Sequence, residues 1–285
     1  MKRSSRTPAI NIIRIQDNNV IHLLMKIEII YRHVHERHEN RSRDPSKVRP
    51  SWFSYENCFK SLLSSIIFSR EIPHVCFRLF VIYDGTQEDF ESDWMRKYIV
   101  NAPQLRIFLA QAGSNAESWK YALALAHGTN EHNSDSDIIY FVENDYLHRT
   151  TWALSIYEMS DYLTEGNYIA LYDHADKYTY ENYKELTSKI IVSKSTHWRE
   201  TPSTCGTFMA NRRTIKEDTD TWLSLPDHAA FTHIRRSKSR GLVTPLPGLN
   251  THCMQGLLSP CIDWKAENDK YSYFQLPTEI TWRDF

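Results

Sequence analysis

Residues 137–145 (DIIYFVEND) combine a run of apolar residues with two carboxylates, Glu143 and Asp145, at its end. The apolar run is typical of a buried β-strand, and open α/β sheets bind ligands at the carboxyl ends of their strands. Carboxylate oxygens at that place suit Mg²⁺ or Mn²⁺, which in turn can hold a diphosphate. The alternative is that both acids cap the following helix, where acidic residues are common.

Two further side chains could complete such a site. Asp84 follows the apolar run 75–83, and a carboxylate at that strand end can accept hydrogen bonds from a nucleoside base or ribose. His252 follows the predicted strand 242–247 and could bind an ion across the site from Asp145, although a histidine bonded to the backbone is the alternative. We expect Asp145 to be an exposed strand-end carboxylate whose removal costs little stability.

Short apolar runs that alternate with helical patterns predict βαβ units around a largely parallel sheet. The predicted strands are residues 21–31, 75–83, 104–110, 137–142 and 168–172. The predicted helices between them are residues 52–68, 87–98, 114–127 and 152–163. Residues 32–50, with His33, His35 and His38, are predicted as a solvated polar loop too rich in charge to pack.

After Asp173 the pattern changes to a more antiparallel second half. The predicted strands of this half are residues 188–198, 205–210 and 242–247. Its predicted helices are residues 213–223 and 227–235. Residues from about 268 onward read as a polar and aromatic tail. Both halves are expected to share one sheet.

The segment Glu143-Asn144-Asp145 resembles the acid-x-acid metal motif of GT-A fold glycosyltransferases, nearest the family 2 type, and the likeness covers residues 21–264. Asp84 stands where that family binds the nucleoside. Residues 113–122 (GSNAESWKYA) resemble the loop and helix that cover the nucleotide in that family. Residues 205–213 (CGTFMANRR) resemble its small-residue segment before the acceptor helix, and residues 250–252 (NTH) resemble its late metal-binding His.

The sequence departs from the family pattern at three places. The first strand runs into Tyr31-Arg32-His33 and a polar insertion rather than a proline-containing loop. The metal motif begins with Glu143 instead of an aspartate. The Glu-Asp pair that usually precedes the acceptor helix is here Pro226-Asp227-His228, so the catalytic base rests on Asp227.

The resemblance implies an α/β fold with a GT-A-like, Rossmann-type, mostly parallel central sheet flanked by helices, and a more antiparallel acceptor-side half. It divides the chain into a basic N-terminal tail (1–20), a nucleotide-sugar-binding half (21–145), an acceptor-binding half (146–267) and a C-terminal tail (268–285). The two halves belong to one GT-A domain in this division.

The resemblance also implies a metal-dependent transfer of a sugar from a nucleotide-diphosphate donor, a UDP-sugar first, to a glycan, lipid-linked or other hydroxyl acceptor with inversion. A retaining outcome and a nucleic-acid acceptor stay open. Mn²⁺ or Mg²⁺ is then held by Glu143, Asp145 and His252, and Asp227 takes the acceptor proton. The implied donor-binding residues are Tyr31, Asp84, Asn115, Lys120 and Asn144. For Lys120, a solvated lysine on a helix is the alternative.

The composition narrows the classes of function. The 285 residues include 34 Lys and Arg against 35 Asp and Glu, and this balance gives no reason to expect bulk binding to nucleic acid or to a membrane surface. Five cysteines without a Cys-x-x-Cys pair argue against a disulfide framework and a zinc ribbon, and for a reducing compartment. No apolar stretch approaches the roughly 18 residues of a membrane span, so we expect a cytoplasmic protein, at most peripheral to a membrane.

Two other classes of function remain open at this point. A nucleotidyltransferase also needs a metal and a nucleotide at strand ends, but it normally has a glycine-rich phosphate loop near the first strand, and residues 27–40 contain no glycine. A non-catalytic glycan-binding protein on the same fold is the second alternative. Trp198, Trp222 and Trp264 could stack on sugar rings, although core packing is the more common role of tryptophan.

Overall fold

The computed structural model describes residues 24–39, 48–69, 72–99, 105–128 and 133–275. The predicted basic tail (1–20) and the end of the predicted C-terminal tail lie outside these residues. The strands are β1 Met25–Val34, β2 Val75–Asp84, β3 Leu105–Ala110, β4 Ile138–Glu143, β5 Tyr146–His148, β6 Tyr168–Ile169, β7 Ile190–Val192, β8 His197–Glu200, β9 Phe208–Asn211, β10 Leu242–Leu246 and β11 Asn250–His252.

Nine of these strands form one sheet in the order β3-β2-β1-β4-β9-β6-β10-β8-β7, and β5 and β11 form a second, antiparallel pair. The strands β3, β2, β1 and β4 are parallel neighbours, whereas β9 is antiparallel to both β4 and β6. Strands β7 and β8 complete the sheet in antiparallel register beside β10. The predicted α/β class, with a large and mostly parallel central sheet flanked by helices, is confirmed.

Every predicted helix is present, but the predicted helices 87–98, 152–163 and 213–223 are each two shorter ones. Three further helices were not predicted, at Glu36–Glu39, Asp176–Thr179 and Trp264–Ser272, and the last of them makes the start of the predicted C-terminal tail helical. The helices are α1 Glu36–Glu39, α2 Tyr55–Phe68, α3 Gln87–Ser92, α4 Arg96–Ile99, α5 Asn115–His127, α6 Trp152–Tyr157, α7 Ser160–Thr164, α8 Asp176–Thr179, α9 Arg212–Glu217, α10 Thr219–Ser224, α11 Asp227–Lys238 and α12 Trp264–Ser272, with a short 3₁₀ helix at Glu181–Tyr183. The predicted helix 87–98 is broken because Asp93 leaves the helical conformation (ψ 145°) and its carboxylate accepts from the Met95 N–H at 2.8 Å. In the described part of the chain, none of the helices could cross a membrane; the cytoplasmic location stays a prediction.

The central sheet is covered on both faces, and the alternation of side chains along β1 shows how. Ile29 and Tyr31 pack in one cluster with Phe59 of α2, whereas Ile30 packs in the opposite cluster with Leu123 of α5. The two faces of the sheet are therefore buried by different helices, which is the arrangement expected of a parallel sheet. The three tryptophans considered for sugar stacking are all in the core: Trp198, Trp222 and Trp264.

The prediction of a solvated loop at residues 32–50 is wrong for the first half of this segment. Strand β1 continues to Val34, and Arg32 and His33 are buried. The His33 ring lies 3.3 Å from the Asp93 carboxylate, and the His38 ring lies 2.9 Å from that of Asp89. These polar residues pack because carboxylates distant in the sequence pair with them, and a single sequence does not display such partners.

The small β5–β11 pair holds a buried polar network. Asn250 pairs with His148, and His252 pairs with Tyr146. The His148 Nε2 lies 2.6 Å from the Tyr140 hydroxyl of β4, which also accepts a hydrogen bond from Asn250 at 2.9 Å. This network ties β11 to the central sheet, so it fixes the position of His252 relative to the end of β4.

The burial of His148 predicts a loss of stability in acid. Burial lowers the pKa of His148 to about 3, whereas in the unfolded chain it is about 6.5. Between these two pKa values the unfolded chain binds a proton at this histidine, whereas the folded protein does not. The contribution of neutral His148 to the free energy of unfolding is therefore complete above about pH 6.5, and it decreases by about 1.4 kcal/mol per pH unit as the pH falls. Between pH 7 and pH 5, we expect the free energy of unfolding to decrease by about 2 kcal/mol less in His148→Gln than in the wild type. Urea unfolding at both pH values measures this difference, and equal losses in the two proteins would contradict it.

Candidate active site

The carboxyl ends of β1, β2 and β4 meet at one edge of the central sheet and border a cavity of about 510 Å³. This is the edge at which parallel α/β sheets bind ligands. Residues from all three strand ends and from the start of α5 line the cavity, among them Arg32, Asp84, Asn115, Glu143, Asn144 and Asp145. Five of the predicted site residues lie together here because they stand at strand and helix ends: Asp84, Asn115, Glu143, Asn144 and Asp145.

Asp84 is the last residue of β2, and its side chain holds the loop before α5. Both carboxylate oxygens accept from the Gly113 N–H, at 3.2 and 3.3 Å. Gly113 has φ +68°, a left-handed conformation that glycine adopts without strain. Asp84 thus lines the cavity while it fixes the loop on the opposite side, and its position suits contact with a nucleoside.

Helix α5 begins at the cavity. The Ser114 side chain caps it by accepting from the Glu117 N–H at 3.2 Å, and the Asn115 Oδ1 accepts from the Arg32 Nη1 at 2.7 Å. Lys120, one turn further along, is 56% exposed, pairs with Glu117 at 2.6 Å and is not among the cavity residues. The structure therefore places Asn115 in the site, and gives Lys120 the solvated position that was its alternative.

Tyr31 is the second predicted donor residue that does not reach the cavity. It is fully buried, and its hydroxyl donates to the Asn144 carbonyl oxygen at 3.4 Å. Asn144 itself lines the cavity with only 9% exposure, and its buried Nδ2 has no hydrogen-bond partner among the described residues. An unpaired buried amide donor costs about 1–3 kcal/mol, so Asn144 is suited to an acceptor oxygen of a ligand.

Glu143 forms an ion pair that the sequence did not predict. Arg32 and Glu143 are direct neighbours on β1 and β4, and the Arg32 Nη2 donates to the Glu143 Oε1 at 2.7 Å. A Cβ on Gly206 would lie 3.3 Å from this Nη2, so the small residue leaves room for the pair. The Glu143 N–H donates to the Thr207 hydroxyl at 3.1 Å. The predicted small-residue segment 205–210 therefore packs against the first acid of the motif.

Asp145 is buried, which corrects the expectation of an exposed carboxylate. Its residue exposure is 6% because Arg49 covers it. The Arg49 Nη2 donates to the Asp145 Oδ2 at 2.6 Å, and the His252 Nε2 lies 2.9 Å from the same oxygen. The His252 ring also stacks on Tyr146 with the ring planes 5° apart. Removal of Asp145 therefore costs more stability than the removal of a surface carboxylate.

The donor set can be compared with what a divalent ion needs. In the part of the chain that the structure describes, no three His, Cys, Asp or Glu side chains cluster in a way that could hold an ion by themselves. Glu143 is paired with Arg32, whereas Asp145 and His252 converge to 2.9 Å. Mg²⁺ is commonly bound by one or two protein ligands together with substrate phosphates. The pair Asp145 and His252 fits an ion of this kind; the metal requirement stays a prediction.

Asp227 is the first residue of α11 and is exposed. The cap position belongs to Pro226 and no side-chain cap bond is formed, so Asp227 is not the N-cap of the helix. Burial, with the negative charges of Glu143 and Asp227, raises the pKa of Cys205 to about 12. The negative charges of Glu143 and Asp227 thus both act on the Cys205 thiol.

Two other carboxylates that could serve as the base, Asp173 and Asp218, have structural partners. Asp173 is buried and accepts from the Arg199 Nη2 at 2.6 Å and the Tyr178 hydroxyl at 2.7 Å. Asp218 is fully buried and pairs with the ammonium of Lys238 at 2.6 Å. Neither carboxylate is placed to take a proton from a substrate, because both are buried.

Sequence reasoning missed the two cavity-lining arginines, Arg32 and Arg49. Arg32 follows an apolar run at the same sheet edge as Asp84, so the argument that found Asp84 could have found it. Arg49 lies in a polar segment between elements, and nothing in its surroundings in the sequence distinguishes it.

No family model and no curated protein matches the chain. Among solved structures it is similar to S. aureus TarS 1-349, with 11% identity over 77% of this chain and 58% of that one and a TM-score of 0.40. A second S. aureus TarS structure has 13% identity over 77% of this chain and 35% of that one, with a TM-score of 0.44. The galactosyltransferase LgtC in complex with donor and acceptor sugar analogues has 14% identity over 72% and 69%, with a TM-score of 0.38. The functional proposal that follows rests on the cavity residues.

Proposed function

We propose that the protein is a glycosyltransferase that transfers a sugar from a nucleotide-diphosphate donor, a UDP-sugar first, to a hydroxyl acceptor with inversion. The observation that carries the proposal is the meeting of Asp84, Asn144 and Asp145, with two arginines, in one cavity at the carboxyl edge of the sheet. The Asp84 carboxylate can accept hydrogen bonds from a nucleoside, and the two arginine side chains can bind phosphate oxygens. The acceptor is a glycan, a lipid-linked group or another hydroxyl compound.

The donor's diphosphate is a leaving group that gains negative charge as the sugar departs. The start of α5 faces the cavity with the partial positive charge of a helix N-terminus, and Arg32 lies beside it. Asn144 offers its amide donor to an oxygen of the donor sugar or phosphate. These groups orient the leaving group before the reaction, which lowers the cost of charge development.

Asp145 and His252 are the residues that would hold Mn²⁺ or Mg²⁺ in this proposal. When bound, such an ion supplies Lewis-acid stabilisation of the departing diphosphate. Glu143 is not assigned to the ion, because its carboxylate contacts Arg32 and not His252, whereas Asp145 contacts His252. Asp227 accepts the proton of the attacking hydroxyl as the new bond forms.

Calorimetric titration with nucleoside diphosphates tests the donor site. We expect Asp84→Ala to weaken the binding of UDP by about 1.5–3 kcal/mol, because a hydrogen bond to a charged group is lost. Lys120→Ala is the matched control from the same side of the cleft, and we expect it to bind UDP as the wild type does, because Lys120 is outside the cavity. Equal affinities of Asp84→Ala and the wild type would show that Asp84 only fixes the loop at Gly113.

A further inference from the structure

Arg49 is a charged cavity residue to which the proposed reaction has so far given no role. Its Nη2 donates to the Asp145 Oδ2 at 2.6 Å, and its Nη1 donates to the Cys253 carbonyl oxygen at 3.1 Å. The guanidinium lies over the Phe53 ring at 4.9 Å and near the Tyr55 ring at 5.9 Å. The side chain is only 15% exposed, so its charge acts in a partly desolvated space where electrostatic interactions are strong.

The same oxygen of Asp145 is the point at which Arg49 and His252 meet. The Arg49 guanidinium contacts the Asp145 carboxylate, and an arginine side chain does not lose its proton in proteins. Arg49 therefore stays charged. An ion bound by Asp145 and His252 would lie close to that charge, and two cations at one carboxylate oxygen repel each other. Arg49 and a divalent ion thus compete for Asp145.

The donor provides another place for the guanidinium. Arg49 lines the cavity that would take the diphosphate, and its planar fork matches two phosphate oxygens. The charges also balance in that state: the ion and Arg49 together offset the Asp145 carboxylate and the two negative charges of the diphosphate.

We propose that Arg49 occupies the place of the metal ion at Asp145 in the donor-free protein, and that it moves to the diphosphate when donor and ion bind. This inference rests on the proposed function. It makes the ion and the nucleotide bind cooperatively, since each stabilises the state in which Arg49 has left Asp145. It also gives Arg49 opposite effects on two ligands: the side chain opposes the ion alone and supports the nucleotide.

Arg49→Met tests these opposite effects, because methionine keeps an apolar stem over Phe53 and removes the charge. We expect the variant to bind Mn²⁺ alone at least about 5-fold more tightly than the wild type, measured from the free Mn²⁺ signal in electron paramagnetic resonance. In calorimetry with saturating Mn²⁺, we expect it to bind UDP at least about 10-fold more weakly, because a charge-assisted phosphate contact is lost. Arg37→Met, at an arginine that is 61% exposed and pairs with Asp89, is the control and should change neither affinity.

Arg49→Lys separates charge from geometry. It keeps the positive charge but loses the planar fork, so we expect weak, wild-type-like Mn²⁺ binding together with weakened UDP binding. The inference is overturned if Arg49→Met binds Mn²⁺ no more tightly than the wild type does. It is also overturned if the wild type binds UDP equally tightly in Mn²⁺ and in EDTA. If the wild type binds no nucleoside diphosphate at all, the proposed function itself fails; binding of UDP with an unchanged Mn²⁺ affinity in Arg49→Met overturns only the role of Arg49.

Discussion

Asp227→Asn is expected to lower kcat by at least about 10²-fold while the protein still binds donor and metal as the wild type does. The carboxylate would accept the proton of the acceptor hydroxyl as the new glycosidic bond forms, and general-base catalysis of this kind typically contributes about 10²–10⁴-fold. Asparagine has nearly the same shape and suits the start of a helix, so α11 should form normally. Initial rates at saturating donor and acceptor measure the effect.

The control for this prediction is Asp220→Asn, which changes an exposed acid in the first turn of the neighbouring helix α10. Its turnover should equal that of the wild type. Near-normal turnover of Asp227→Asn would show that the base lies elsewhere.

Asp145→Asn is expected to lower kcat/KM by at least about 10²-fold and to remove the dependence of UDP binding on Mn²⁺. The substitution removes the negative charge that Arg49 and the ion share in the proposed site. Because Asp145 is buried between Arg49 and His252, we also expect a loss of about 1–3 kcal/mol in unfolding free energy. Rates and urea unfolding must therefore be measured together, at a temperature where the variant is folded.

Asp135→Asn provides the comparison for Asp145→Asn, since Asp135 is a 61% exposed carboxylate paired with Lys216. The activity and the unfolding free energy of Asp135→Asn should equal those of the wild type within error, because ion pairs at the surface contribute little to stability. Mn²⁺-dependent activity that is retained in Asp145→Asn would remove Asp145 from the metal site.

The sequence predicted the elements that carry the site because their signals are local. The apolar runs of β1, β2 and β4 read as strands, and parallel strands bring their carboxyl ends to one edge. That rule alone placed Asp84, Asn144 and Asp145 together. It could not supply the ion pairs that bury Asp145, because Arg49 comes from a segment without periodicity and its partner is far along the chain.

Tyr31, a predicted donor residue that misses the cavity, shows what the sequence could not supply. Tyr31 shares one face of β1 with Ile29, toward α2, whereas Arg32 shares the other face with Ile30, toward α5. Since side chains alternate along a strand, the choice between Tyr31 and Arg32 depends on which face carries the nucleotide loop. The position of α5 answers that question, and the sequence does not state on which side of the sheet a helix lies.

Phosphorus NMR of the wild-type protein with Mn²⁺, an acceptor mixture and a panel of nucleotide sugars tests the central claim most directly. We predict that at least one nucleotide sugar, a UDP-sugar first, is consumed with release of the nucleoside diphosphate, and that Asp145→Asn does not release it. If no nucleotide sugar yields a nucleoside diphosphate, and the protein instead releases pyrophosphate from a nucleoside triphosphate and a sugar phosphate, the chain is a nucleotidyltransferase and the account of the site is contradicted.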